Sequence, residues 1–364
     1  MGMAVKHIFI LAGEASGDVL GAEFIMSLRQ VEPNTRITFT GGQAMADALQ
    51  GQSPLIPLSK LAFMGFAEVV AHLPQVWAND QKIKQHIQKE KPDVILCVDY
   101  PGYNLRLAEW LNRKGLRGKG TRVVQLVCPQ FWAWKAGRLS RIAAAYDAVY
   151  PLLPFEAPLL QEAGVSAPYF GHPAAHRVQP GQVDKSGPIA LLPGSRSQEW
   201  ARHIPVFAQT AKTLGLTPRW YRPGHVSSLQ YQKVLLSHGV WADLDDIVSG
   251  VPQMTGVSGA VVASGTATLE VALRGIPMVV AFKTSPVSYQ IGKRIIRVPY
   301  ISLVNLILGR PAVKECIQSE CVPSVLAQAW QEACSSGTSL GDALRAAIDK
   351  GDPMPSIVAH VLAL

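Results

Sequence analysis

Short apolar runs, each closed by a cluster of Gly, Ser, Pro or Asp and followed by an amphipathic stretch, recur along the whole chain. Nothing else constrains its fold so strongly. A few aliphatic residues in a row, without alternation, suit a strand covered on both faces. Alternation of such runs with helical stretches is the pattern of parallel β-α units. In the first half the strands are expected at Ile8–Leu11, Arg36–Thr40, Val94–Val98, Val123–Val127 and Ala148–Leu152. After Gly171-His172-Pro173, the polar stretch Val178–Gly187 reads as a linker. A second series follows at Ile189–Leu192, Arg219–Tyr221, Ala260–Ala263 and Met278–Phe282. The fold class is therefore α/β: two Rossmann-like domains, over 1–172 and 188–340, with a cleft between the carboxyl ends of their sheets. A helical tail covers 341–364, and 364 residues suffice for two cores.

A net charge of +8 calls for an anionic partner, yet no dense Lys/Arg arm or nucleic-acid signature accompanies it. Phosphates or a membrane surface fit better, and no nucleic acid is expected. The five scattered cysteines include no Cys-x-x-Cys pair, which argues against a disulfide framework or a zinc site. The opening apolar run reads as a buried strand, and no later run is long enough to span a bilayer.

Two strand–turn–helix segments in the second half carry the clearest chemistry. Leu191-Leu-Pro-Gly-Ser-Arg196 puts Gly194, Ser195 and Arg196 at a strand's carboxyl end, where a guanidinium can fork onto a diphosphate. A plain turn with a helix cap is the competing reading. Ala263-Ser-Gly-Thr-Ala-Thr-Leu-Glu270 offers helix amides with the hydroxyls of Ser264, Thr266 and Thr268 for phosphate, and Glu270 for ribose hydroxyls. Here the alternative is an N-cap with a helix-dipole Glu.

In the first half, Gly13 and Gly17 shape a turn that presents Glu14, Ser16 and Asp18, unless Ser16 or Asp18 simply caps the helix. Asp99 follows a buried strand and is either a general base or an Asx cap before Pro101. Trp132 and Trp134, with Lys135, Arg138 and Arg141 behind them, form an aromatic and basic rim for a sugar or acyl chain, against core packing for either ring. The apolar segment Leu61–Trp77, followed by Lys82, Lys84 and Lys89, reads equally as an interfacial segment or a core helix. His172 and His176 receive no catalytic role.

These motifs, together with Leu153-Pro-Phe-Glu156, Gly171-His-Pro173, Pro277-Met-Val-Val280 and Tyr300–Arg310, resemble those of lipid-A-disaccharide synthase, a bacterial family with the two-Rossmann GT-B glycosyltransferase fold. The resemblance spans nearly the whole chain. It implies an inverting transfer of 2,3-diacylglucosamine from UDP-2,3-diacylglucosamine to 2,3-diacylglucosamine 1-phosphate, without metal or other cofactor. It further implies a donor site at Ser195, Arg196, Gly265, Thr266, Glu270 and Asn305, with Asp99 as general base. Glu14, Ser16, Asp18 and Trp132 then line the acceptor side or cleft. Membrane contact falls on Phe63, Met64, Phe66, Val69 and Val70, which implies a cytoplasmic protein held at the surface of the inner membrane. The C-terminal helices would either cross back to the first domain or exchange between subunits of a homodimer.

The chain departs from the family pattern at three points. Gly102 stands where a second acid is usual, Val304 replaces a proline, and His176 replaces an acid. A different UDP-sugar transferase, a UDP-N-acetylglucosamine epimerase, and a peripheral lipid-binding protein that kept the nucleotide fold are the rival readings.

Overall fold

The computed structural model describes residues 5–61, 73–118, 120–131, 137–224, 226–251, 254–296, 298–336 and 340–364. The chain divides into two compact units. The first runs to Pro173 and resumes at Lys350; the second is Ala174–Asp349. Each is a parallel sheet with helices on both faces.

In the first unit, β1 (His7–Ala12), β2 (Arg36–Thr40), β3 (Val94–Val98), β4 (Arg122–Leu126) and β5 (Ala148–Tyr150) lie in the order β2-β1-β3-β4-β5. Every neighbouring pair is parallel. β1 and β3 are buried at every position, which is why they appear in the sequence as unbroken apolar runs. Helices α1 (Ala15–Val31), α2 (Gln43–Ala48), α3 (Leu73–Glu90), α4 (Pro101–Arg113), α5 (Arg138–Ala145) and α6 (Glu156–Glu162) complete the unit.

The second unit contains β6 (Ile189–Leu192), β7 (Pro218–Arg222), β8 (Ile247–Ser249), β9 (Gly259–Ala263), β10 (Met278–Phe282) and β11 (Glu315–Ile317), in the order β11-β10-β9-β6-β7-β8. After the short helical turn Pro173–Arg177 at its start, its helices among the described residues are α7 (Ser197–Leu214), α8 (Ser228–Ser237), α9 (Thr266–Leu273), α10 (Pro286–Ile295), α11 (Leu303–Leu308), α12 (Pro323–Ser335) and α13 (Leu340–Ile348). The short edge strands β8 (Ile-Val-Ser) and β11 (Glu-Cys-Ile) had no clear sequence signal, since neither is part of an unbroken apolar run.

Each order contains one reversal, where two neighbouring strands send their connections to opposite faces. It lies between β1 and β3 in the first unit and between β6 and β9 in the second. Connections diverging from such a pair leave a crevice at the strands' carboxyl ends, and ligands of open α/β sheets bind there.

The expected tail divides between the units. Leu340, Leu344 and Ile348 of α13, spaced one helical turn apart, face the core of the second unit. The last helix, α14 (Pro353–Ala363), instead packs on α1 through Met354, Ile357, Val358 and Val361. Tyr150 and His360 are hydrogen-bonded at 2.9 Å, tying α14 to the end of β5.

Asp18 braces the first unit from inside α1. It is 5% exposed, and its carboxylate accepts from the backbone amides of Gly42 (2.7 Å), Ala44 (3.0 Å) and Met45 (3.4 Å) at the start of α2. A carboxylate at a helix N-terminus satisfies amides that the helix itself leaves open. Asp18→Ala is expected to lower the stability of the first unit by about 2–3 kcal/mol, because buried amides lose a charged partner. Chemical denaturation followed by far-UV circular dichroism would measure it.

Candidate active site

In the first unit the crevice between β1 and β3 collects the turn after β1 and the residue after β3. Ser16 Oγ donates to Asp99 Oδ2 at 3.0 Å. The backbone makes this meeting possible at some cost. Asp99 and Tyr100 are consecutive non-glycine residues in the left-handed region, at φ 49° and 48°, a conformation such side chains adopt only when the surroundings impose it. Two amides impose it here. Asn104 Nδ2 donates to the Asp99 carbonyl at 2.7 Å, and Gln125 Nε2 donates to the same oxygen at 3.0 Å. Gln125 Nε2 also reaches the Val127 carbonyl at 3.0 Å, so one buried side chain ties together the ends of β3 and β4. Gly13 is required on the other side, since a Cβ there would lie 2.5 Å from the Tyr100 ring.

The expected polar residues of this crevice therefore separate by role. Ser16 and Glu14 are exposed beside Asp99, which is half-buried. Asp18 is not available to a ligand, because its carboxylate is committed to α2. Around Gly102, in the position of the missing acid, an added Cβ would meet nothing within 4 Å. Trp132, Trp134 and the segment Phe63, Met64, Phe66, Val69 and Val70 lie outside the described residues.

In the second unit the loops after β6 and β9 flank the reversal, and the loop after β10 lies next to them. Arg196 is the N-cap of α7, with its side chain 61% exposed. Glu199, one turn into α7, accepts from the amides of Ser195 (2.9 Å) and Arg196 (3.2 Å). These two amides are therefore engaged by a carboxylate of the chain itself, and the Arg196 guanidinium, 3.6 Å from Glu199, is the group projecting outward. Gly194, at φ 106°, brings its backbone so close to Glu199 that a Cβ would be 2.2 Å from Oε2.

After β9, Gly265 caps α9, and Gly265 and Thr266 are exposed. The neighbouring hydroxyls hold the turn: Ser264 donates to the Ile301 carbonyl at 2.9 Å, and Thr268 donates to the Gly265 carbonyl at 2.7 Å. Glu270 lies on the first turns of α9 with Arg177 at 3.5 Å. Burial raises its carboxyl above the usual range, against the pull of Arg177 and Arg274.

Asn305 is placed differently from the expectation. It is 1% exposed, and its amide donates to the Val313 carbonyl (2.9 Å) and to Glu315 (2.8 Å) while accepting from the Val313 amide (2.9 Å). Glu315 also accepts from the amides of Ile301 (3.0 Å) and Ser302 (2.9 Å). Asn305 thus shapes the loop that Ser264 grips, and in this conformation presents no free amide atom to a ligand.

His203 was not foreseen. On α7 and 1% exposed, it bridges the Pro193 carbonyl through Nδ1 (2.9 Å) and the Lys283 amide through Nε2 (3.0 Å). An amide can only donate, so Nε2 must accept and Nδ1 must carry the proton. The neutral ring links the loop after β6 to the loop after β10. A polar residue on the apolar stripe Ile204, Phe207, Ala211 was the available signal for it, as Gln125 inside the apolar run Val123–Val127 was for the first unit.

A cavity of about 860 Å³, lined in part by Met278, Trp330 and Cys334, opens at the amino ends of β9 and β10. Parallel sheets take their ligands at the opposite ends, so this cavity is not the candidate site. Among the described residues no cluster of His, Cys, Asp and Glu is arranged to hold a metal ion.

A family model described as lipid-A-disaccharide synthetase matches residues 8–343. The chain is 34% identical over 368 residues to the lipid-A-disaccharide synthase of Acidobacterium capsulatum, covering 92% of this chain and 88% of that protein. It is 32% identical over 349 residues to the synthase of Granulibacter bethesdensis, covering 89% and 85%. Among solved structures, UDP-GlcNAc 2-epimerase of Methanocaldococcus jannaschii in complex with UDP-GlcNAc and UDP superposes with a TM-score of 0.60 at 11% identity, covering 98% of this chain and 100% of that one. The glycotransferase of kitacinnamycin superposes at 0.57 with 16% identity and 98% coverage of both. At such identities these likenesses show a shared fold only.

Burial holds His203 below its ordinary value of 6.5, aided by Arg202 and Lys283 and opposed by the Pro193 carbonyl and Glu199. A depressed folded-state pKa contributes stability that is complete above the unfolded value and is lost as pH falls through the folded one. His7 and His86 shift in the same direction, so the contribution is isolated by comparing variants. Denaturation of His203→Gln and wild type from about pH 7.5 down to about pH 5 is expected to show a shallower acid-side loss in the variant.

Proposed function

The chain belongs to the lipid-A-disaccharide synthase family, and from that membership we propose that it transfers 2,3-diacylglucosamine from UDP to 2,3-diacylglucosamine 1-phosphate with inversion. Membership brings the broader class with it: the chain is a UDP-sugar-dependent glycosyltransferase of lipid A biosynthesis. The residue roles and the substrates follow from the site chemistry and the family pattern together.

The donor's diphosphate belongs at the reversal between β6 and β9. There the loop that carries Arg196 and the start of α9, with the amides of Thr266 and Ala267, both follow the strands' carboxyl ends. Glu270 accepts from the ribose hydroxyls, with Arg177 beside it favouring the ionised carboxylate that can do so. As the glycosidic bond to the diphosphate breaks, negative charge grows on the phosphate oxygens. Fixed amides and a guanidinium stabilise that charge without reorganising.

Asp99 takes the acceptor's proton. In an inverting displacement the acceptor hydroxyl attacks the anomeric carbon from the face opposite UDP, its proton passes to a carboxylate, and UDP leaves. The observation that carries this role is the Ser16–Asp99 hydrogen bond at the reversal between β1 and β3. Ser16 occupies one carboxylate oxygen and orients the other, while Asn104 and Gln125 hold the strained backbone beneath it. Ser16 and Glu14 line the acceptor side.

The acyl chains of both substrates call for a lipid surface. Leu73 and Trp77, one turn apart at the start of α3, are 52% and 67% exposed. They continue the apolar segment that contains Phe63 and Phe66, and together these residues form the proposed membrane contact of the first unit. No helix among the described residues is long and apolar enough to cross a membrane.

Mass spectrometry of the disaccharide product tests this reading. Product should require both donor and acceptor, whereas an epimerase would alter the donor alone. Asp99→Asn is expected to lower turnover about 10²–10⁴-fold with UDP affinity nearly kept; turnover close to wild type would remove Asp99 from the base role. Arg196→Ala is expected to weaken UDP binding about tenfold or more, measured by titration calorimetry.

A further inference from the structure

Helix α10 is built inside out. Its aliphatic residues Val287, Ile291 and Ile295 recur at every fourth position, the spacing that normally buries one face of a helix against a core. Here they are 70%, 53% and 42% exposed, Ile296 beyond them is 45% exposed, and no residue of the helix is buried. The side turned inward carries Tyr289 and Gly292 instead. Single exposed aliphatics are ordinary, but a contiguous stripe marks a surface that meets something. A helix this short is also marginal in water on its own, so an unpartnered apolar face is a cost that an outside partner removes.

Charge says what that partner is. Between Glu270 and Glu315 every charged residue is basic. Lys293 and Arg294 occupy the last turn of α10 and are exposed, and Arg294 projects beside the aliphatic stripe. Lys283 precedes the helix and Arg297 follows it in sequence. An apolar stripe flanked by cations, on a helix that lies along the surface, is suited to the boundary between acyl chains and anionic headgroups. The aliphatics enter the apolar layer and the cations remain at the phosphates.

We infer that α10 is a lipid-contacting surface of the second unit that seats on an anionic bilayer. The inference rests on the acylated-substrate reading above but assigns a contact separate from that of Leu73 and Trp77, and on the other unit. The donor-binding unit would then approach the bilayer on its own, next to the loop after β10 that His203 holds.

The test is sedimentation of the full-length protein with vesicles of phosphatidylcholine containing phosphatidylglycerol. Val287→Ser, Ile291→Ser and Ile295→Ser combined should lower vesicle binding about tenfold or more. Because all three side chains are exposed, the variant should keep its unfolding temperature and its turnover on detergent-dispersed substrates. Lys293→Gln with Arg294→Gln should weaken binding about fivefold for each charge removed, with little change on vesicles of phosphatidylcholine alone. Binding by the triple variant within about twofold of wild type overturns the proposal. So does a triple variant that loses self-association with vesicle binding unchanged, since the stripe would then face a second copy. The combined Leu73→Ser and Trp77→Ser variant separates the two contacts: if it abolishes binding while the α10 variant keeps it, the first unit's membrane contact stands and this one falls. No vesicle binding by wild type removes both.

Discussion

Parallel strands buried on both faces leave only their ends for chemistry, and the remaining structure follows from that restriction. A side chain on β1, β3 or β9 has no solvent to face, so reactive groups must lie in the turns where strands end. Strand order then determines which turns meet. In each unit one pair of neighbouring strands sends its connections to opposite faces, and the turns diverging there leave room for a ligand. Ser16 and Asp99 meet at one such point, and the loops of Arg196 and Gly265 flank the other.

Turns at strand ends lack the hydrogen bonds that hold strands and helices, and this protein supplies them from side chains. The backbone around Asp99 is strained, and Asn104 and Gln125 hold it. The loop before α7 is held by Glu199 and His203, and the loop before α11 by Glu315 and Asn305. None of these six need touch a substrate. In the proposed mechanism they hold the groups that do within the small tolerance that catalysis allows, with hydrogen bonds that need little rearrangement when charge develops. Glu199 differs from the rest, because a carboxylate on the Ser195 and Arg196 amides occupies donors that an incoming phosphate would otherwise use. In the proposed donor site, phosphate recognition would then fall to the Arg196 side chain and the amides of α9.

Lipid substrates add a demand that a soluble nucleotide enzyme does not face. A polar reaction must be performed on molecules whose acyl chains stay in or near a bilayer. Exposed apolar side chains beside cations are suited to that demand, and both units carry them: Leu73 and Trp77 before the lysines of α3, and the stripe of α10 beside Lys293 and Arg294. The basic excess of the whole chain fits such a surface and the phosphates of its substrates.

From the amino-acid order alone, the α/β class, both sheets and the turns at the strands' carboxyl ends were legible. Apolar runs such as Ile8–Leu11 and Ala260–Ala263 and the small residues that end them are local patterns, and a strand covered on both faces can be read one residue at a time. The short strands β8 and β11 escaped because pairing, not composition, makes them strands. What the tertiary structure decided was how each polar side chain is spent. Asp18 and Asn305 have the composition of ligand contacts, yet both are consumed by amides 24 or more and 8 residues away along the chain respectively. His203 gained its place from a carbonyl and an amide 10 and 80 residues distant. Likewise the period of α10 announced an apolar face, but only the fold turned that face to solvent. Hydrogen-bond partners and burial are set by packing between segments remote in sequence, and no local pattern encodes them.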